Sequence, residues 1–221
     1  TGAANGVGLA IAKKFIEAGA NVVLADMDEE QLSNEVSSLE KLNKNVISFC
    51  GDLREKLTIN NLLATTVDKF ETIDILVNAS RQVLLSDPLK MEEDTFNQMI
   101  NQNVTVNLRI SQAVANRMIK HNKRTEKKEI IGKIVNLSSI AANRSQKKML
   151  SYSVSSAALN QLTRSLAIEL AEKGITVNGV SIGSVMSASL RDMTRKDLDL
   201  QDLIIESTPL GRIGEAEEAA E

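Results

Sequence analysis

The sequence contains very few of the side chains that build nucleic-acid, metal or disulfide sites. Its 221 residues include no tryptophan, one tyrosine, four phenylalanines, one cysteine and one histidine. A base-stacking platform for nucleic acid needs more aromatic rings than this. A lone cysteine cannot form an internal disulfide, and with a single histidine it does not make a metal-ligand cluster. We therefore expect no metal and no nucleic-acid partner.

Long apolar runs and a strong charge of either sign are also missing. No uninterrupted apolar run approaches the roughly 18 residues of a membrane span, and the chain does not open with a signal peptide. The formal net charge of −3 favours neither nucleic acid nor an anionic membrane. With 43% hydrophobic residues, the length suits one globular domain over residues 1–221. We expect a cytoplasmic protein without membrane contact.

Apolar runs alternate along the chain with segments whose apolar residues recur every three or four positions. The runs predict strands, and the periodic segments predict amphipathic helices. Strands that read as apolar runs separated by helices are typical of a parallel sheet with helices on both faces. The sequence therefore predicts an α/β, doubly wound fold. The predicted strands lie within residues 21–26, 45–52, 74–80, 133–139 and 175–185.

Both ends of the chain interrupt this alternation. Thr1 already lies in a glycine turn of the kind that follows a strand, and the chain stops inside EAEEAAE, which reads as the start of a helix. We expect the intact protein to contain an N-terminal strand of about five residues and a C-terminal helix and strand. The first and last strands of the fold would then lie outside the printed sequence.

The opening stretch TGAANGVGLAIAKKF has glycines at positions 2, 6 and 8 directly before a helical pattern. Such a turn lets backbone N–H groups and a helix N-terminus face a pyrophosphate, because glycine has no side chain to block the approach. A glycine pattern alone is weak support. The prediction of a dinucleotide site therefore depends on a second feature.

Asp26 is that second feature. It closes the next predicted strand, 18 residues after Gly8, where a carboxylate can accept hydrogen bonds from the adenosine ribose hydroxyls. It would also repel a 2′-phosphate, and the glycine turn holds no arginine or lysine to attract one. The sequence favours NAD over NADP as the cofactor. The alternative is that Asp26 caps the helix that follows it in DMDEEQL.

The only tyrosine, Tyr152, opens an amphipathic helix behind the serine-rich strand end VNLSS. This placement suits a catalytic acid, because a positioned phenol can pass a proton to a reacting carbonyl oxygen. The alternative is a half-buried tyrosine that only packs in the core.

Several spaced motifs together resemble the short-chain dehydrogenase/reductases, especially those similar to 3-oxoacyl-carrier-protein reductases. The resemblance covers essentially the whole chain. It implies a single Rossmann domain and an NAD(H)-dependent oxidoreductase that acts on a carbonyl or secondary alcohol of a small molecule. It also implies a homodimer or homotetramer formed through the long helices. The motifs are T-G-x(3)-G-x-G at 1–8, CGDL with Asp52, VNAS at 77–80, Asn103, the serine pair of VNLSS, Tyr152 and TPLGRIG at 208–214.

The resemblance assigns roles residue by residue. Ser139 would polarise the substrate carbonyl, Tyr152 would pass the proton, and Asn103 would order a proton-relay water. Asp52 would meet the adenine, and Asn78 would border the adenosine-side ribose. The implied cofactor contacts are Gly2, Asn5, Gly6, Val7, Gly8, Asp26, Asp52, Leu53, Asn78, Ala79 and Tyr152.

The chain departs from the family pattern at the position four residues after Tyr152, where Ser156 replaces a lysine. In the family that lysine lowers the pKa of the tyrosine and holds the nicotinamide ribose. An ordinary tyrosine has a pKa near 10, so only about one in a thousand is ionised at pH 7. In carbonyl reduction, however, the tyrosine starts protonated, so the reactive form is populated. Lys147 and Lys148 are candidates for a replacement cation; the alternative is that both are simply solvated.

Two further motifs are eroded. The family's N-N-A-G is shortened to Asn78-Ala79-Ser80, and its Pro-Gly reads Ile182-Gly183. Two functions therefore stay open from the sequence. The first is an oxidoreductase that works without the lysine, and the second is a catalytically impaired dinucleotide-binding protein with a structural, sensing or partner-binding role.

Overall fold

The computed structural model describes residues 1–40, 45–85, 87–89, 95–121, 129–187, 190–191, 194–195 and 198–221. Strands and helices alternate along the chain, and each predicted strand is confirmed to within a few residues. The strands are β1 (Val22–Asp26), β2 (Val46–Cys50), β3 (Ile75–Asn78), β4 (Gly132–Ser139) and β5 (Ile175–Ile182). The α-helices are α1 (Gly6–Glu17), α2 (Glu29–Leu39), α3 (Lys56–Phe70), α4 (Thr95–Ile100), α5 (Val106–His121), α6 (Leu150–Ala171) and α7 (Leu198–Ser207).

The first of two compact units comprises residues 1–50 and 182–221. Its strands β1 and β2 are parallel, with Val22 opposite Val46 and Asp26 opposite Cys50. Helix α1 packs against β1, and α2 packs against both strands. The apolar residues that gave the helices their periodicity form one buried cluster with the strands, which includes Leu9, Ile16, Leu24, Leu32, Val36 and Val46. This packing fixes the carboxyl end of β1, where Asp26 lies.

The second unit comprises residues 51–181. Its sheet has the strand order β3-β4-β5, and β3 and β4 are parallel, with Leu76 opposite Ile134 and Asn78 opposite Asn136. Helices α5 and α6 both pack against β4. Because α6 begins at Leu150, Tyr152 lies in its first turn.

The sequence pattern of residues 92–121 predicts one long helical stretch, and the structure differs from this prediction in the middle of the stretch. Residues 92–94 lie outside the described residues, and the remainder contains a π-helical turn, Asn101–Thr105, between α4 and α5. Such turns are rare and are often found at functional sites. Asn103 is at the centre of this one.

The single domain predicted over residues 1–221 stays a prediction. Among the helices that the structure describes, none combines the length and the apolar character needed to cross a bilayer.

Candidate active site

The glycine turn leads into α1 in the first unit. Gly2 and Gly6 have φ angles of +65° and +56°, in the left-handed region that favours glycine. A Cβ on Gly8 would overlap the Gly2 carbonyl oxygen and lie 2.8 Å from its carbon, so only glycine permits this close approach. Asn5 is the N-cap residue of α1 and Val7 lies in its first turn. Among the described residues, a Cβ on Gly6 would come within 4 Å of Ser187 alone, at 3.9 Å, so the described part of the chain leaves space at this position of the helix N-terminus.

Asp26 is bound to the backbone of this turn rather than to the following helix. Its Oδ2 accepts a hydrogen bond from the Ala4 N–H at 3.0 Å, and its Oδ1 accepts from the Met27 and Asp28 N–H groups at 2.7 and 3.2 Å. The alternative role as a helix cap belongs to Asp28, whose side chain accepts from the Gln31 N–H at 3.0 Å. The carboxylate of Asp26 is therefore fixed beside the glycine turn.

Asp52, which the resemblance assigns to the adenine, is paired with Arg54. The Arg54 Nε and Nη2 donate to its carboxylate at 2.9 and 2.6 Å, and this contact holds the pKa of Asp52 below its usual value. The neighbouring Leu53 is 6% exposed. The adenine contact of both residues stays a prediction.

Tyr152 is buried, with 5% of its surface exposed, and packs with Met99 and Ala141. Its hydroxyl accepts a hydrogen bond from the Arg81 Nη1 at 3.2 Å. The Tyr152 ring therefore packs in the core, as the alternative supposed, while its hydroxyl makes a polar contact. Arg81 is exposed and directly follows the eroded motif Asn78-Ala79-Ser80.

Ser139 ends β4 and caps a short 3-10 turn, Ile140–Ala142. Its Oγ accepts a hydrogen bond from the Ala141 N–H at 3.1 Å, and the Ala141 side chain belongs to the cluster around Tyr152. The same short turn thus fixes the Ser139 hydroxyl and contacts the tyrosine ring. The catalytic role of Ser139 stays a prediction.

Asn103 connects the segment that carries Arg81 to the helix that carries Tyr152. Its Oδ1 accepts from the Gln82 N–H and its Nδ2 donates to the Gln82 carbonyl, both at 2.9 Å. The Nδ2 also lies 3.2 Å from the Ser155 Oγ, which in turn donates to the Tyr152 carbonyl at 2.9 Å. The Asn103 carbonyl accepts from the Asn107 Nδ2 at 2.6 Å. The predicted water-ordering role of Asn103 is not tested by these contacts and stays a prediction.

Asn78 is buried more deeply than a residue that contacts a cofactor at the surface of a cleft would be. It is 1% exposed, and its Nδ2 donates to the Ser111 Oγ at 3.1 Å and to the Asn136 Oδ1 at 2.8 Å. These bonds join β3, β4 and α5. The buried Oδ1 of Asn78 has no hydrogen-bond partner among the described residues. The cofactor contacts of Asn78 and of the adjacent Ala79 stay predictions.

Ser156 lies in a small pocket of the second unit that Tyr152 also lines. The remaining lining residues are Arg81, Asn103, Asn107, Leu137, Ser138 and Leu159. Ser156 is 4% exposed, so the position of the missing lysine faces the same space as the tyrosine. Lys147 and Lys148 are exposed, and among the described residues the cation that contacts the Tyr152 hydroxyl is Arg81.

Arg81 and Asn107 were not predicted from the sequence. Arg81 has no periodic or motif signal, apart from its place directly after a shortened motif. Asn107 lies one helical turn after Asn103, a spacing at which helical side chains and backbone groups meet. Polar residues that recur at that spacing among the buried apolar residues of α5, namely Asn107 and Ser111, are the signal that could have indicated it.

Comparison with known proteins gives a match over nearly the whole chain. The sequence model of a family described as enoyl-(acyl carrier protein) reductase matches residues 2–221. A (2S)-[(R)-hydroxy(phenyl)methyl]succinyl-CoA dehydrogenase subunit from Thauera aromatica is 32% identical over 220 residues, which cover 100% of this chain and 84% of that protein. The 7alpha-hydroxysteroid dehydrogenase of Escherichia coli K12 is 29% identical over 220 residues, covering 100% of this chain and 82% of the enzyme.

Solved structures show the same fold. A 7 alpha-hydroxysteroid dehydrogenase in complex with NADH and 7-oxo glycochenodeoxycholic acid superposes with a TM-score of 0.90 at 29% identity, covering 100% of this chain and 82% of that chain. ElxO with NADP bound superposes with a TM-score of 0.87 at 25% identity, covering 100% and 86%. These likenesses confirm the doubly wound α/β fold predicted from the alternation of strands and helices.

Proposed function

Because the chain belongs to the short-chain dehydrogenase/reductases, a family of oxidoreductase enzymes, we propose that it is an NAD(H)-dependent member that reduces a small-molecule carbonyl, or oxidises the corresponding alcohol, without the usual lysine. One observation carries the proposal: Tyr152 is buried, yet its hydroxyl contacts Arg81 beside a pocket that Tyr152 itself lines. A tyrosine that served only for packing would not need a charged partner for its hydroxyl.

The first unit fits a nicotinamide dinucleotide. The open N-terminus of α1 and the close approach of Gly2 and Gly8 are the features that a pyrophosphate needs. Oδ2 of Asp26 accepts one backbone N–H, and a carboxylate oxygen has a further lone pair for a ribose hydroxyl. We propose NAD rather than NADP, because the fixed charge of Asp26 would repel a 2′-phosphate. One of the two solved relatives above holds NADH and the other NADP.

The chain's own residues act on the substrate oxygen and its proton. When bound, the nicotinamide supplies or accepts the hydride. Because the Ser139 Oγ accepts its bond from Ala141, its own proton can be donated to a carbonyl oxygen and so polarise the carbonyl. Tyr152 donates its proton to the same oxygen as negative charge develops there. In the reverse direction Tyr152 takes that proton back.

Asn103 and Asn78 have supporting roles in this proposal. The Asn103 carbonyl faces the Asn107 amide, and we propose that a water ordered at this carbonyl returns a proton to Tyr152. The Oδ1 of Asn78, which has no hydrogen-bond partner among the described residues, is proposed as the acceptor that faces the cofactor side, with Ala79 next to it. Asp52 and Leu53 are proposed to border the adenine.

We also propose a homodimer or homotetramer formed through α5 and α6. Helix α6 exposes large apolar side chains to solvent: Leu150 is 47% exposed, Val154 41% and Ile168 77%. Burial of such side chains in a symmetric contact would stabilise an oligomer. Light scattering at micromolar concentration should give an oligomeric mass for wild type and a smaller mass for Ile168→Glu, while Leu57→Glu on α3 serves as control. A monomeric wild type would contradict this part of the proposal.

The enzyme assignment is tested by turnover of NADH with a panel of 3-oxoacyl thioesters and simple ketones. Wild type, Tyr152→Phe and Ser139→Ala are compared after each has been shown to bind NADH, with the exposed Ser145→Ala as matched control. We expect activity in wild type and Ser145→Ala, and at least a 100-fold loss in the other two variants. If every variant binds NADH and none turns over across the panel, a dinucleotide-binding role without catalysis replaces this proposal.

A further inference from the structure

The Tyr152 hydroxyl has a cationic neighbour that no part of the proposed reaction has used. The Arg81 Nη1 lies 3.2 Å from the Tyr152 Oη, and both side chains line the pocket that also contains Ser156. The guanidinium is permanently protonated. A full positive charge therefore lies at the oxygen that must give up or take a proton.

The chemistry of the two groups fixes the direction of this hydrogen bond. A guanidinium has donors only, whereas a phenol oxygen both donates and accepts. Tyr152 must therefore accept from Arg81, and its own O–H proton points elsewhere. The contact thus leaves the phenol proton available to a substrate oxygen.

The segment that carries Arg81 is held in place by Asn103. Two hydrogen bonds of 2.9 Å join the Asn103 side-chain amide to the backbone of Gln82, the next residue after Arg81. The same Asn103 amide contacts Ser155, which bonds to the Tyr152 carbonyl. One buried side chain therefore sets the positions of both Arg81 and Tyr152 relative to the π-helical turn.

The exposure of Arg81 makes such a contact inexpensive. Arg81 is exposed while Tyr152 is buried, so the guanidinium keeps much of its hydration while one N–H reaches the hydroxyl. A lysine buried at position 156 would instead have to lose most of its hydration. The charge at the phenol can thus come from the surface side of the pocket.

We propose that Arg81 supplies the positive charge at the Tyr152 hydroxyl and is the residue that compensates, in this chain, for the absence of a cation at position 156. The inference rests on the proposed function of Tyr152 as proton donor and acceptor. As Tyr152 gives its O–H proton to the substrate oxygen, the phenolate that forms is stabilised by the adjacent guanidinium. The proton moves from Tyr152 to the substrate, and Arg81 keeps its own protons throughout.

The kinetic test uses lysine rescue to separate this role from a structural one. Arg81→Gln should lower carbonyl reduction about 100-fold, Arg81→Lys should retain more activity than Arg81→Gln, and Arg144→Gln, at an exposed arginine, should change little. Ser156→Lys should raise the activity of Arg81→Gln by at least tenfold, and by less in wild type, where Arg81 is present. Such non-additivity is expected only if both cations serve the same group. Equal activity of wild type and Arg81→Gln, or no rescue by Ser156→Lys, would overturn the proposal.

A second measurement does not depend on turnover. Because Tyr152 is the only tyrosine, protein labelled with carbon-13 at the tyrosine ring gives one ring signal set, and its chemical shift should change in Arg81→Gln but not in Arg144→Gln. An unchanged shift in Arg81→Gln would show that the contact is absent and would overturn the inference. A changed shift without turnover in any variant would overturn the proposed function, and with it a catalytic use of Arg81. A changed shift together with lysine rescue supports both.

Discussion

Replacement of Asp26 by alanine tests how the glycine turn selects its cofactor. The substitution removes the carboxylate that accepts bonds from the Ala4, Met27 and Asp28 N–H groups. Two consequences follow for a bound dinucleotide. The ribose hydroxyls lose their acceptor, and a 2′-phosphate no longer meets a negative charge.

The size of the effect can be worked from these two contributions. Two unit charges about 4 Å apart repel by about 1 kcal/mol in water and by about 4 kcal/mol at an effective dielectric constant of about 20. Because Asp26 is partly exposed, about 2 kcal/mol is a suitable value for a doubly charged phosphate. A hydrogen bond from a ribose hydroxyl to a carboxylate adds about 1 kcal/mol. The sum of about 3 kcal/mol corresponds to roughly a 100-fold preference for NADH over NADPH.

Calorimetric titration of NADH and NADPH into wild type, Asp26→Ala and Glu30→Gln measures this preference. Glu30 is an exposed carboxylate on α2 and controls for the loss of one negative charge. We expect a roughly 100-fold preference for NADH in wild type and Glu30→Gln, and less than about tenfold in Asp26→Ala. NADH itself should also bind more weakly to Asp26→Ala, because the turn loses its bond at Ala4. Equal affinities in wild type, or a preference for NADPH, would refute the reasoning.

Two further predictions concern the turn and the adenine side. Gly8→Ala should abolish NADH binding and lower the thermal unfolding midpoint, because its Cβ would overlap the Gly2 backbone. Gly19→Ala, at φ +84° and with no atom of the described residues within 4 Å of its Cβ, should cost only about 1–2 kcal/mol of stability. Equal unfolding midpoints of Gly8→Ala and Gly19→Ala in calorimetry would contradict this prediction. Arg54 holds the pKa of Asp52 below its usual value. The stability that Asp52 contributes is therefore fully present when the pH is above the usual pKa, and it is lost as the pH falls through the lowered pKa. In Arg54→Gln, carbon-13 NMR should show Asp52 titrating at a higher pH than in wild type, and an unchanged titration would show that Arg54 is not the cause.

The strands and most helices were predictable from the sequence because local periodicity and burial agree. The apolar runs became β1 to β5, and burial is most complete in β4, against which α5 and α6 both pack. The helix ends followed simple signals, such as Asp28 before α2. The glycine turn was also predictable, because Gly8 meets backbone atoms that are close to it in sequence.

The parts that were not predictable depend on contacts between distant residues. The π-helical turn at Asn103 has no local signal, and its side-chain bonds go to Gln82 and Ser155, 21 and 52 residues away. The contact of Arg81 with Tyr152 spans 71 residues. The local sequence pattern cannot indicate such contacts between distant residues, because the contacts form only when the strands and helices have packed. Lys147 and Lys148 were therefore the candidates for a replacement cation, because they are close to Tyr152 in sequence, but both are exposed.

The central claim, that Tyr152 passes a proton during carbonyl reduction in a chain without the family lysine, is tested most directly by a single turnover with NADH deuterated at the nicotinamide C4. Wild type and Tyr152→Phe are each mixed, in separate reactions and in excess over the substrate, with the deuterated NADH and a substrate that the panel has identified. Mass spectrometry then measures deuterium in the product alcohol. We predict that wild type transfers one deuterium to the alcohol carbon, and that Tyr152→Phe binds the cofactor equally well but transfers it at least 100-fold more slowly. Equal rates of transfer in the two proteins would contradict the account.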